Sequence, residues 1–165
     1  MSAKQKDEFM NIVKDVLNNN EFKGLDNEMH HGITRYGHSL RVAKATFTCS
    51  KALKLDYKSA TRAAILHDFF SNEDLRGMSG PETIYEHPKK AAINAKKYFN
   101  ISAKEENIIA SHMFPLSRVM PKYAESWVVT AMDKGVALYE MYRFKLSLLL
   151  GIWMIFVFNM ITIQK

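Results

Sequence analysis

Cysteine is almost absent from this 165-residue sequence, which contains only Cys49. A single thiol excludes a disulfide framework and a cysteine-rich zinc site, and it is typical of a protein from a reducing compartment. The beginning of the chain also lacks an apolar run, so we expect no secretory signal there. Internal repeats and low-complexity segments are missing as well, and the length is that of one domain.

Acidic residues are in deficit, because 17 Asp and Glu stand against 23 Lys and Arg and give a net charge of +6. This balance suits anionic partners such as nucleotides, nucleic acid or acidic lipid. The lysines are scattered, however, and no dense Lys/Arg run or basic patch interleaved with aromatic residues occurs. We therefore expect no nucleic-acid partner.

What the sequence does contain is helical periodicity and helix-capping signals. These predict helices at 7–17, about 35–54, 58–70, 87–98, 102–113 and from 123 onward. Between them, residues 71–86 contain two glycines and a proline, and we predict a loop long enough to be an active-site lid. No segment predicts a strand, so the expected fold class is all-α.

The C-terminal segment differs in composition from the rest of the chain, because residues 146–163 carry no charge. As a helix this segment would span about 27 Å, close to the thickness of a bilayer core. Arg143 and Lys145 precede it, as expected for a cytoplasmic domain attached to the inner face of the membrane. The competing interpretation is a core or dimer helix. We therefore divide the chain into a domain at 1–145 and an apolar helix at 146–163.

Candidate chemistry begins with His67 and Asp68, which lie in the apolar sequence AAILHDFF. A carboxylate in such surroundings needs a partner, either a metal ion or a structural contact with the imidazole. Asp133 lies in a second apolar helix, beside Lys134, and is either a ligand or half of a local ion pair. With His38, which alone would be an ordinary helix-end residue, these positions place nitrogen and oxygen ligands on three helices. Helical bundles build metal centres in this way.

The four residues and their contexts, R-Y-x-H-S, A-x-L-H-D and D-K after an apolar run, resemble the HD-domain superfamily of metal-dependent phosphohydrolases. The resemblance covers roughly residues 31–140 and implies an HD-domain helical bundle. His87 and His112 would separately be helix-terminal histidines. Their order resembles the five-histidine, dinuclear-type subset, which includes diadenosine tetraphosphate hydrolases and cyclic-dinucleotide hydrolases.

The resemblance implies that His38, His67, Asp68 and Asp133 hold one metal ion and that Asp68 bridges to a second, completed by His87 and His112. Two such ions activate a shared water and clamp phosphate oxygens, with Asp68 at the reaction centre. Ligands without thiolate favour iron or manganese, and zinc, cobalt or nickel also fit. One branch of the family that hydrolyses cyclic dinucleotides has a Gly-Tyr-Pro motif and a pair of adjacent histidines. This sequence lacks the motif and has Ser111 in place of the first histidine, before His112. Both differences argue against a cyclic dinucleotide as the substrate.

Positive charge near this site would come from Arg35, which matches an arginine that the family turns toward substrate phosphate, and from Lys134. Arg118 is a weaker candidate, and each of the three could instead be a solvated surface cation. His30 and His31 are expected in an exposed loop. The predicted function is hydrolysis of a phosphoester or phosphoanhydride in a small nucleotide-like substrate. The alternatives are a non-catalytic nucleotide-binding module and a di-iron oxygenase.

Overall fold

The computed structural model describes the backbone of residues 1–30 and 33–163, and the side chains within these ranges except at positions 30, 152, 153 and 155–163. The described residues form seven α-helices, which confirms the predicted all-α fold class. They are α1 (Ala3–Asn18), α2 (Asn20–Gly24), α3 (Arg35–Ala52), α4 (Tyr57–Leu66), α5 (Gly80–Tyr98), α6 (Ala103–Ser111) and α7 (Ala124–Ile163). The unpredicted strands β1 (Met29–His30) and β2 (Ile33–Thr34) form one short antiparallel pair.

Helix α4 lies at the centre of the core because its sequence is rich in alanine. Ala60, Ala63 and Ala64 are fully buried, and their short side chains let α1, α3 and α6 approach closely. The surrounding helices contribute the larger apolar side chains. These are Phe9, Val13 and Val16 of α1, Val42 and Phe47 of α3, and Ile108 and Ile109 of α6.

Two predicted metal ligands lie where helices end. Helix α4 ends at Leu66, so His67 is its C-cap, and the predicted continuation to residue 70 is wrong. Helix α6 ends at Ser111, and His112 is its C-cap. The last carbonyl groups of a helix have no intrahelical partner, so they can accept hydrogen bonds from these side chains.

Helix α5 begins earlier than predicted, which corrects both the helix and the preceding loop. The prediction placed its start at His87 and Pro88, whereas the structure starts it at Gly80. The physical reason is a capping box in which Ser79 and Glu82 satisfy each other's backbone N–H groups. His87 therefore lies two turns inside the helix, and the loop shortens to 67–79 with one 3-10 turn at Glu73–Leu75.

Helix α7 packs on the domain with its first half and then leaves it. Every residue from Met141 to Gly151 is exposed. Within the part of the chain that the structure describes, no helical segment has the length and apolar character needed to cross a bilayer. Most of the predicted anchor, namely positions 152, 153 and 155–163, lies outside the described side chains, so the anchor stays a prediction.

Removal of residues 146–165, which include the predicted anchor, should leave the stability of the domain unchanged. The described side chains after Lys145 are exposed, so a chain that stops at Lys145 loses no packing that the structure describes. We expect its melting temperature to match that of the full chain, both measured in the same mild detergent. If residues 146–163 were a core helix, the melting temperature would fall by several degrees. Cell fractionation of both chains tests the anchor directly.

Candidate metal centre

The structure brings all six predicted metal ligands into one cluster between α3, α4, α5, α6 and α7. Ligand atoms lie within 4.8 Å of one another in three overlapping groups. The groups are His38–His67–Asp68, His67–His112–Asp133 and Asp68–His87–His112. All six residues are at most 9% exposed. Such burial of two carboxylates requires compensating positive charge at the same place.

Asp68 lies at the centre of the cluster and faces two sides. Its Oδ2 atom is 3.6 Å from Nε2 of His67, and its Oδ1 atom is 3.6 Å from Nε2 of both His87 and His112. On the His67 side, Asp133 Oδ1 lies 3.1 Å from His38 Nε2 and 3.4 Å from His67 Nε2. We name the two sides by their members. The first half-site is His38, His67, Asp68 and Asp133, and the second half-site is Asp68, His87 and His112.

Each histidine of the cluster is anchored through Nδ1. His67 donates to the carbonyl of Ala64, His87 to that of Thr83 and His112 to that of Ile109, over 2.7–2.8 Å. His38 donates to the carboxylate of Glu140 over 2.8 Å. Carbonyl and carboxylate oxygens only accept hydrogen bonds, so Nδ1 carries the proton in every ring. The Nε2 atoms therefore present lone pairs to the cluster unless a second proton is bound.

This arrangement fits a bound cation. The Nε2 atoms of His87 and His112 face each other at 3.1 Å, and two lone pairs at this distance need a shared proton or a cation. His67 Nε2 and Asp68 Oδ1 are buried and make no hydrogen bond to any described residue. Anchored Nδ1 atoms with converging Nε2 atoms are the usual arrangement around a protein-bound metal ion.

Without a metal ion, the negative charge of Asp68 and Asp133 is partly balanced by protons on the neighbouring histidines. Burial opposes protonation of His67, but the carboxylates of Asp68 and Asp133 outweigh it and raise its pKa to about 9. The pKa of His38 is also raised, because Asp133 and Asp68 outweigh the effect of burial. Burial and the charge on His67 lower the pKa of His112 to about 3. A protonated His67 thus balances one of the two carboxylates at neutral pH, and His112 remains neutral.

The pKa values of the two carboxyl groups in the cluster are lowered. Burial alone would raise the pKa of Asp68, but the surrounding histidines, His67 first, hold it below its usual range. The pKa of Asp133 is also held well below normal, because its contacts with His38 and His67 outweigh burial. Both carboxylates are therefore ionised at neutral pH and available as ligands.

The predicted cations differ in where the structure places them. The Lys134 ammonium donates to the carbonyl of His112 over 3.2 Å, and burial lowers its pKa despite the neighbouring Asp133. Arg118 is exposed in the loop before α7.

Arg35 is buried, with its guanidinium 3.9 Å above the ring of Phe70. It donates to the carbonyl of Phe70, to Asn72 and to Glu28. These contacts hold the 67–79 loop, and the Phe70 ring in turn packs on His87 at 5.3 Å.

Sequence reasoning missed Glu140. The residue is buried on α7, where it accepts from both His38 and Arg41. A signal was available, because Glu140 follows Asp133 by seven residues, which is two helical turns and the same helix face. In the sequence it resembled one more polar residue of a mixed helix.

A helical domain whose buried histidines and aspartates converge from several helices belongs to the class of bundles that bind metal ions. Residues 35–137 match the family model of the HD domain. This range covers more than half of the chain, which therefore belongs to the HD-domain family of metal-dependent phosphohydrolases. Neither the curated proteins nor the solved structures include a match to the chain.

Cation binding to this cluster should strengthen as the pH rises. With a pKa of about 9, His67 carries an extra proton at neutral pH, and a cation must displace it. Each displaced proton makes the apparent affinity rise about tenfold per pH unit below that pKa. Calorimetric titration with Mn²⁺ between about pH 6.5 and 8.5, in buffers of different ionisation enthalpy, measures both the affinity and the protons released. A pH-independent affinity would contradict the placement of His67 among the ligands.

Proposed function

We propose that this protein is a hydrolase that uses two divalent metal ions to cleave a phosphoester or phosphoanhydride in a small nucleotide-like substrate. The observation that carries the proposal is the position of Asp68, whose two oxygens face separate sets of imidazole Nε2 atoms. A bridging carboxylate of this kind is what a pair of metal ions requires. The HD-domain family supports the hydrolytic chemistry in general, although some of its members are non-catalytic.

The donor chemistry supports iron or manganese as the bound metal. The cluster offers four imidazoles and two carboxylates, without a thiolate, and such mixed nitrogen and oxygen sets suit iron and manganese. Zinc, cobalt and nickel fit the same donors. The first half-site would hold one ion and the second half-site the other.

Bound metal ions would supply Lewis acidity that lowers the pKa of an attacking water and polarises the phosphate oxygens. The chain itself would contribute positioning and charge. Asp68 and Asp133 stay ionised at neutral pH, which keeps both half-sites ready for cations. The Lys134 ammonium lies against the backbone of the ligand His112, where it can neutralise charge that develops on the phosphoryl group.

A substrate would reach the cluster from the side of His87, Asp133 and Lys134. The side chains of His87 and Asp133 are each 11% exposed, whereas those of His38 and His67 are completely buried. Lys134, the neighbour of Asp133 in the chain, is exposed. A phosphate that enters here would meet an ammonium group first, and the positive charge of the domain favours anionic substrates in general.

Replacement of Asp68 by Ala should remove both metal ions and all activity, because both half-sites share this carboxylate. His38→Ala and His87→Ala should each remove one of the two ions. Metal content after anaerobic purification measures the first effect. Activity is measured as inorganic phosphate released from nucleotides and as nucleotide products formed from dinucleotides, including diadenosine tetraphosphate. Asp15→Ala is a matched control, since this aspartate pairs with Arg62 away from the cluster.

The outcomes separate this proposal from its alternatives. An Asp68→Ala protein that keeps its metal and its activity would refute the site. Tight nucleotide binding without turnover under any metal would indicate a regulatory module. Oxygen uptake with an organic substrate would indicate a di-iron oxygenase.

Lys134→Met should slow hydrolysis without changing metal content. Loss of one charged group that stabilises a transition state reduces kcat by about 10²–10³-fold. Lys122→Met is the control, because Lys122 is an exposed lysine just before α7. Steady-state kinetics and metal analysis of both variants test the role. If Lys134→Met lost metal and activity together, the lysine would be a structural residue of the centre.

A further inference from the structure

The ring of His38 is held differently from the other three imidazoles of the cluster. His67, His87 and His112 donate Nδ1–H to carbonyl groups of their own helices. His38 is the fourth residue of α3, and in the first turn of a helix the unpartnered groups are N–H donors rather than carbonyls. Its Nδ1–H therefore needs an acceptor from elsewhere, and Glu140 of α7 provides one.

Glu140 is a carboxylate with no exposed side-chain surface. Burial of a carboxylate is costly unless every oxygen has a partner. Arg41 of α3, whose side chain is half exposed, donates to Oε1 over 3.1 Å and offsets the charge. The other oxygen, Oε2, accepts from His38 over 2.8 Å. The carboxylate is thus divided between a neutralising arginine and one metal-site imidazole.

Helix α7 contacts both nitrogen atoms of the His38 ring. Asp133 and Glu140 are two turns apart on one face of α7. Asp133 Oδ1 lies 3.1 Å from Nε2, and Glu140 Oε2 lies 2.8 Å from Nδ1. With a carboxylate at each end, the ring can neither flip nor tilt without losing a contact.

We propose that Glu140 is a positioning residue of the first half-site: it holds His38 in the Nδ1–H form and directs Nε2 toward His67, Asp68 and Asp133. This inference rests on the proposed function, because it requires a cation in the first half-site. Loss of Glu140 should affect only the first half-site, because the second half-site contains His87 and His112, which donate to backbone carbonyl groups instead.

The test is a calorimetric titration of the metal-free full chain with Mn²⁺. We expect two binding steps in the unmodified protein. Glu140→Ala should weaken one step by about 10- to 100-fold, the usual effect of removing a carboxylate that supports a metal-binding histidine. Glu140→Gln should weaken the same step less, because the amide oxygen still accepts from Nδ1–H. This nearly isosteric variant carries the test if Glu140→Ala does not fold.

Glu125→Gln provides the matched control on the same helix. Glu125 is also buried, but it pairs with Lys104 at 2.9 Å and accepts from the backbone of Asp56, away from the cluster. We expect this variant to lower the melting temperature and to leave both Mn²⁺ affinities unchanged. A purely structural Glu140 would behave in the same way.

A double variant tests whether Glu140 acts through His38. In a His38→Ala background, Glu140→Gln should cause no further loss of Mn²⁺ affinity, because the imidazole that it orients is gone. Unchanged Mn²⁺ affinity in both single Glu140 variants, or equal weakening of both binding steps, would overturn the role of Glu140 but not the proposed function. Absence of Mn²⁺ binding by the unmodified protein would overturn the proposed function, and the inference with it.

Discussion

Two carboxylates and four imidazoles share a volume from which water is almost excluded, and this constraint governs the rest of the site. An isolated buried carboxylate costs several kcal/mol even after relaxation of its surroundings. In the metal-free protein a proton on His67 offsets part of this cost, because Asp68 and Asp133 raise the pKa of His67 to about 9. The same carboxylates also raise the pKa of His38. A metal cation, with its higher charge, can replace such a proton. The cluster is therefore built for positive charge.

The helix ends make this cluster possible. His67 and His112 follow the last residues of α4 and α6, where leftover carbonyl groups accept Nδ1–H. The same hydrogen bonds satisfy the helix ends and fix the rings with Nε2 inward. The alanine-rich α4 places one of these ends in the middle of the core. Local rules of helix termination thus set the geometry of a site assembled from distant parts of the chain.

The sequence predicted the helices better than their ends. Apolar periodicity indicates α1, α3 and α4. Because proline favours the first turn of a helix, the sequence predicts that α5 begins at His87 and Pro88. The capping box at Ser79 begins that helix earlier. His38, His67, Asp68 and Asp133 are candidate ligands from their positions on three helices. His87 and His112 join them only through the family resemblance, because their positions in the sequence do not show that they lie near Asp68. The sequence does not indicate the role of Glu140, because its burial depends on how α7 packs against α3. Local sequence patterns do not predict this packing.

The positions of the cations bear on how a phosphate substrate would be neutralised. Of the three cationic residues that the sequence singled out, Arg35 is committed to Phe70, Asn72 and Glu28, and Arg118 is exposed in a loop. Only Lys134, among these three, contacts a predicted metal ligand, His112. A phosphate with two or more negative charges needs more than one ammonium group in a site of low dielectric constant. For the proposed reaction, most of that charge would fall to the metal ions, so substrate affinity as well as turnover should depend on metal occupancy.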